Sequence, residues 1–234
     1  MLPLIWAEIL TFTIALTWLR FMDFVAQRGW IENRLSRKII HVGTGPFFVI
    51  CWLLFPDQGI SRYLAAMVPL LFTIQFALIG LGKIQDQATV DAICRTGNHR
   101  EMLKGPLYYG IAFVVLTILY WKDSPIGIIA LMMICGGDGL ADIVGSKLKS
   151  APIPWSKQKT VLGSLSMFVG GWLFSFGMLM VFIAAGVFQY QVTEILYPLT
   201  FLVLLGTIVE SLPFTDLDNL TIPAVTMLAG NFFF

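Results

Sequence analysis

The chain has 234 residues, 57% of them hydrophobic and only 12% charged, with a formal net charge of +1. Soluble domains carry about 25% charged residues, so half that density leaves too little polar surface for a fold exposed to water on all sides. The three cysteines (Cys51, Cys94 and Cys135) are scattered and lack CxxC spacing, which argues against a disulfide framework or a zinc site.

Continuous apolar runs without alternation predict helices. A membrane-crossing helix needs about 20 mostly apolar residues, and helices satisfy their own backbone groups in lipid. Runs at residues 2–21, 39–55, 63–81, 107–121, 126–137, 161–187, 196–209 and 221–234 predict seven or eight spans. The run at 126–137 is short and is expected to continue as helix into the polar segment after it. The fold class is therefore an all-α, polytopic transmembrane helical bundle, read as one integral membrane domain over residues 1–234.

The first run lacks a basic leader and a small-residue cleavage site, so it reads as a membrane helix rather than a removable signal. No Arg/Ser-rich transit segment precedes it, which leads to the expectation of a bacterial membrane. With the N-terminus outside, every one of the 15 Lys and Arg residues except Arg62 and Lys122 falls on one side of this layout. Excess Lys/Arg marks the cytoplasmic side. Five acidic residues, Asp138, Asp142, Glu210, Asp216 and Asp218, lie at the same edge, and orientation does not require them.

Four polar clusters gather at that edge. The first is Arg37-Lys38-Ile39-Ile40-His41, followed by Gly43 and Gly45, where the second span enters the membrane. Arg37 and His41 are four apart and share a helix face. An ionisable group inside an apolar run usually faces the bundle interior; a basic anchor with a packed histidine is the alternative.

The second cluster is Gly137-Asp138-Gly139-Leu140-Ala141-Asp142, continuing to Gly145 and Lys147. Asp138 and Asp142 are spaced to point the same way, and paired carboxylates suit Mg²⁺, which is held by one or two carboxylates plus phosphate oxygens. Glycines leave backbone N–H groups open to phosphate. An Asp helix cap beside a solvated Asp is the alternative.

The third cluster is Pro152-Ile153-Pro154-Trp155-Ser156-Lys157-Gln158-Lys159-Thr160, then Gly163-Ser164 at the start of the next span. Two prolines give a rigid turn, and ammonium groups before a helix N-terminus suit an anion. The fourth is Glu210-Ser211-Leu212-Pro213, then Asp216-Leu217-Asp218-Asn219-Leu220-Thr221 and Pro223. An acidic connection on the basic side suggests pairing with those lysines or with a metal. No G-x-x-x-x-G-K-[ST] element occurs, so a P-loop is excluded.

These clusters, in this order, resemble the polyprenol kinase family, which includes phytol, farnesol and dolichol kinases. Arg37-Lys38-x-x-His41 resembles its early element. Gly137-Asp138-Gly139-x-Ala141-Asp142-x-x-Gly145, then Lys157-x-Lys159-Thr160-x-x-Gly163-Ser164, resembles its nucleotide-site signature. The Glu210 to Pro223 segment is most similar to the phytol kinase branch. Leu162 stands where the family often has a glutamate, and the acidic loop is one Asp short of an Asp-Asp-Asn form.

The resemblance implies phosphorylation of an isoprenoid alcohol, with CTP as co-substrate, at the cytoplasmic membrane edge. For the phytol branch the product feeds tocopherol and other prenyl-lipid synthesis. It implies Mg²⁺ on Asp138, Asp142, Asp216 and Asp218, with Asp138, His41 and Lys159 as catalytic groups. Nucleotide and phosphate would be held by Arg37, Lys38, Gly137, Gly139, Lys157, Thr160 and Gly163. The expected partners are the alcohol, the nucleotide and the bilayer, with no nucleic acid. A phytol-branch member without a transit segment points to a cyanobacterial membrane. A cytidylyltransferase acting on a lipid phosphate is the competing enzyme reading, distinguished by release of pyrophosphate instead of CDP. A transporter is the non-enzymatic one, but it calls for mid-bilayer charges and an internal repeat.

Overall fold

A computed structural model describes residues 2–213 and 216–234, without the side chains of Asn33 and Arg34. Its helices cluster into two compact units, Met1–Ile118 and Leu119–Phe234. Among the described residues, seven helices are long and apolar enough to cross a membrane.

The first unit contains α1 (Leu4–Gln27), α2 (Asn33–Cys51), α3 (Ser61–Gly80), α4 (Gln87–Ile93) and α5 (Gly105–Leu119). Large apolar side chains such as Ile5, Trp6 and Ile9 stay exposed along α1, as suits a surface in lipid. The chain leaves α1 and α3 through Gly29 and Gly82, both at positive φ, the left-handed conformation that closes many helices and that glycine adopts without strain. Helices α3 and α5 meet closely at Gly110, where a Cβ would lie 2.2 Å from Thr73 Oγ1. Small residues let membrane helices approach in this way. Beyond α3, Val90, Cys94 and Met102 pack with Ile79 in a small core beneath the connection to α5.

The second unit begins with Ser124, whose hydroxyl accepts from the Ile126 amide at the start of α6 (Pro125–Met132). A π-helical turn (Met133–Gly137) joins α6 to α7 (Asp138–Lys147), so one helical rod runs from Pro125 to Lys147. The expected continuation beyond residue 137 is therefore present. Every residue of α6 and the π turn is buried, which makes this rod the axis around which α8 (Val161–Ala184), α9 (Val192–Glu210) and α10 (Asp218–Gly230) pack.

Two features depart from the sequence reading. The connection from α7 to α8 is a two-stranded antiparallel hairpin, β1 (Pro152–Ile153) with β2 (Ser156–Thr160), turning at Pro154-Trp155. The run expected to span at 221–234 folds as α10, with 13 residues, about 20 Å of helix against about 30 Å of hydrocarbon. Among the described residues, the regular structure is helical apart from that hairpin.

Candidate active site

The site forms inside the second unit, where three helix ends and one strand converge. Asp138 opens α7 directly after the π turn, Glu210 ends α9, Asp218 opens α10, and Lys159 sits near the end of β2. Single-turn π segments recur at functional sites because they rotate the following helix. Here the π turn directly precedes Asp138.

Lys159 joins two of the acids. Its Nζ donates to Glu210 Oε1 at 2.5 Å and to Asp218 Oδ2 at 2.9 Å. The other Glu210 oxygen accepts from Ser164 Oγ at 3.3 Å. Burial works against the Lys159 ammonium, yet the charges of Glu210 and Asp218 outweigh it and hold the group above the usual lysine range. Asp218 is pushed up to about 6, first by burial and then by the nearby Asp138 carboxylate, with Lys159 opposing. The two shifts have different origins: desolvation dominates at the acid, attraction to two carboxylates at the base.

Asp138, Glu210 and Asp218 each present a carboxylate oxygen within 4.8 Å of the others. Glu210 is buried, and Asp218 Oδ1 is a buried atom with no hydrogen-bond partner. A buried acceptor without a donor is costly unless a ligand satisfies it. Carboxylate oxygens are the hard donors that Mg²⁺ takes, so the residues present fit the expected ion.

The structure sorts the remaining sequence candidates. Glu210 belongs to the acidic group although it was not among the expected metal ligands; an acid closing an apolar span was the available signal. Asp142, one turn beyond Asp138, is exposed, and neither it nor Asp216 belongs to the group. Asp216 adopts a positive φ in the turn before α10, a conformation Asp tolerates better than most residues. Lys157 is exposed two residues before Lys159.

Thr160 caps α8, its hydroxyl accepting from the Gly163 amide at 3.2 Å. What the structure shows for Gly137 and Gly163 is helix packing. A Cβ on Gly137 would lie 2.7 Å from Met167 Sδ, and one on Gly163 would lie 3.5 Å from the Ala141 carbonyl and 3.6 Å from Gly145 Cα. Gly139 is likewise buried.

Arg37, Lys38 and His41 belong to α2 of the first unit. Arg37 Nη1 donates to the Cys94 carbonyl at 3.0 Å, tying α2 to the segment after α4. Lys38 is buried. The His41 ring lies against Tyr109, centroids 4.5 Å apart, and the Tyr109 hydroxyl donates to the His41 carbonyl at 2.9 Å.

No protein-family model matches the chain, and no solved structure matches it. Curated proteins do. The chain is 39% identical over 226 residues to a wheat protein named probable phytol kinase, chloroplastic, covering 96% of this chain and 75% of that relative. It is 42% identical over 217 residues to the rice probable phytol kinase 1, chloroplastic, covering 92% and 69%. It is 37% identical over 210 residues to the Arabidopsis thaliana phytol kinase 1, chloroplastic, covering 89% and 69%.

These relatives correct one expectation. They are plant proteins named as chloroplastic, so the bacterial, cyanobacterial membrane inferred from the lack of a transit segment does not stand. The term "cytoplasmic" for the basic edge falls with it. The inference failed because the start of a sequence says nothing secure about what precedes it in the full protein. Identity at this level over nearly the whole chain, together with a helical membrane fold, places the chain in the phytol kinase family.

Proposed function

We propose that the chain phosphorylates phytol, using CTP as donor and Mg²⁺ held by Asp138, Glu210 and Asp218. The supporting observation is the meeting of three carboxylates and Lys159 in one partly buried group, with Glu210 itself buried. Farnesol and geranylgeraniol are the alternative acceptors of the same chemistry, and the monophosphate product would enter prenyl-lipid synthesis such as that of tocopherol.

Phosphoryl transfer demands mainly positioning and neutralisation of charge on the phosphate oxygens. When bound, Mg²⁺ supplies that neutralisation as a Lewis acid. The chain's own residues do the rest. Lys159 offers a positive charge fixed by two carboxylates. Lys157, two residues earlier on β2, offers a second, exposed one to the triphosphate. Asp138 is aimed from the rigid central rod, so its geometry does not depend on a loop. The apolar helices beside these groups give the prenyl tail a lipid-like environment while the nucleotide arrives from water. Phosphate contact by Thr160 and the glycines is secondary in this proposal, because the cap and the helix packing already engage them.

The test is phytyl phosphate formation by the purified protein in detergent or nanodiscs, given labelled CTP, Mg²⁺ and phytol, with UTP and ATP in parallel. Phytyl phosphate and CDP are expected from wild type, and about 100-fold less or lower from Asp138→Asn. Release of pyrophosphate instead of CDP would overturn the kinase proposal, and unchanged activity in Asp138→Asn would overturn the site.

A further inference from the structure

Lys159 and a divalent ion would draw on the same carboxylates. Lys159 Nζ holds Glu210 Oε1 and Asp218 Oδ2, and these residues are two of the three that offer closely spaced carboxylate oxygens. An ammonium and a divalent ion placed together among oxygens within 4.8 Å of one another would repel in this partly buried site. With its three acids ionised, the group carries three negative charges, and Lys159 offsets one of them. The lysine therefore supplies part of the neutralisation that a metal would otherwise bring.

We infer that Lys159 is an exchangeable placeholder: a divalent cation entering between Asp138, Glu210 and Asp218 displaces the ammonium, which turns outward to meet the phosphates of the nucleotide. This rests on the proposed metal site and adds an order to it. Metal and nucleotide then support each other. The metal releases the lysine, and an anion stabilises the lysine once released. Without nucleotide, the metal must displace a doubly paired ammonium and binds weakly.

The side chain has room for the exchange. Lys159 keeps 21% of its side-chain surface exposed, whereas Glu210 keeps only 4%. The glutamate stays and the lysine moves. Ser164 holds the second Glu210 oxygen, so the carboxylate remains oriented after its partner leaves. Asp218 Oδ1, buried and without a donor, is a further oxygen for the incoming ion.

The experiment measures Mn²⁺ binding to the purified, nucleotide-free protein by electron paramagnetic resonance, comparing wild type with Lys159→Met and Asp138→Asn. Lys159→Met should bind Mn²⁺ about tenfold more tightly or better, a change worth about 1.4 kcal/mol, and Asp138→Asn should bind it more weakly. Equal or weaker binding in a folded Lys159→Met overturns the exchange while leaving the metal site standing. Absence of Mn²⁺ binding in all three proteins overturns the metal site itself.

A second measurement needs no substitution at the lysine. Acetylation of wild type, read by mass spectrometry against exposed Lys157 as internal reference, should rise at Lys159 when Mg²⁺ is added. Unchanged or reduced labelling at Lys159 overturns the inference.

Discussion

The Nζ of Lys159 stands 2.9 Å from Asp218 Oδ2, which ties the strand before α8 to the first residue of α10. The two positions are separated by two helices in sequence, and their pairing gives the short α10 a fixed place. Removing one partner of such a pair strands the other charge in a poorly solvated site, and a broken buried pair costs about 3–5 kcal/mol. Lys159 retains some exposure and a second partner in Glu210, so the lower end of that range applies to Asp218→Ala. Thermal unfolding in detergent should show this loss, with Asp218→Asn less affected because the amide still accepts from the ammonium.

Asp138 and Asp142 should separate functionally despite their shared spacing. Asp138 lies in the carboxylate group and Asp142 is exposed outside it. Asp138→Asn should lower kcat/KM for phytol phosphorylation by about 100-fold or more, the scale of losing one charge-stabilising group. Asp142→Asn should stay within about tenfold of wild type, since it removes no member of that group. Equal losses in the two variants would count against the assignment.

Glycine content in the second unit should be divisible into required and dispensable positions. A methyl on Gly137 meets Met167 Sδ at 2.7 Å and the Met167 carbonyl at 3.1 Å, and the second of these is backbone that cannot move aside cheaply. Gly137→Ala should destabilise by about 1–3 kcal/mol, as overpacking does. Gly177 on α8 has nothing within 4 Å of the same position, so Gly177→Ala should be neutral or stabilise by up to about 1 kcal/mol through helix propensity. Melting temperatures of the two variants, measured side by side, check the contrast.

Asp86 in the first unit offers a pH test. Asp86 caps α4: one oxygen accepts from the Thr89 amide at 3.0 Å, the other from its hydroxyl at 2.6 Å. These bonds hold the Asp86 carboxyl below the usual carboxylate range. The unfolded chain therefore takes up this proton first as pH falls. The stabilisation is complete above the ordinary Asp value of about 3.9 and is lost as pH drops through the lower folded-state value. Asp86→Ala should cost about 1 kcal/mol near pH 7, a typical N-cap loss. Unfolding of wild type and variant at pH 7 and at pH 3 should show that difference shrinking in acid.

The helical membrane fold was legible in the sequence because hydrocarbon thickness imposes a run length on any chain that crosses it, and that run is a local property. Seven of the expected runs became long apolar helices, and the extension of the 126–137 run was foreseeable from its shortness. The final run failed as a span because apolar character alone does not give length: Asp218 and Asn219 belong to its first turn, and the helix stops at Gly230. The four polar clusters were also visible, since charge is rare in such a chain.

Which members of those clusters meet was decided by tertiary structure. Spacing paired Asp138 with Asp142, because residues four apart share a helix face. The fold instead joined Asp138 to Glu210 and Asp218 through the π turn and the ends of α9 and α10. It drew Lys159 inward while leaving Lys157 exposed, although the two stand only two residues apart on one strand. Local sequence determines what is apolar enough to enter the bilayer and where charge gathers. The choice of partners depends on helix rotation and on packing between segments distant in the chain, and no periodicity within a single segment carries that information.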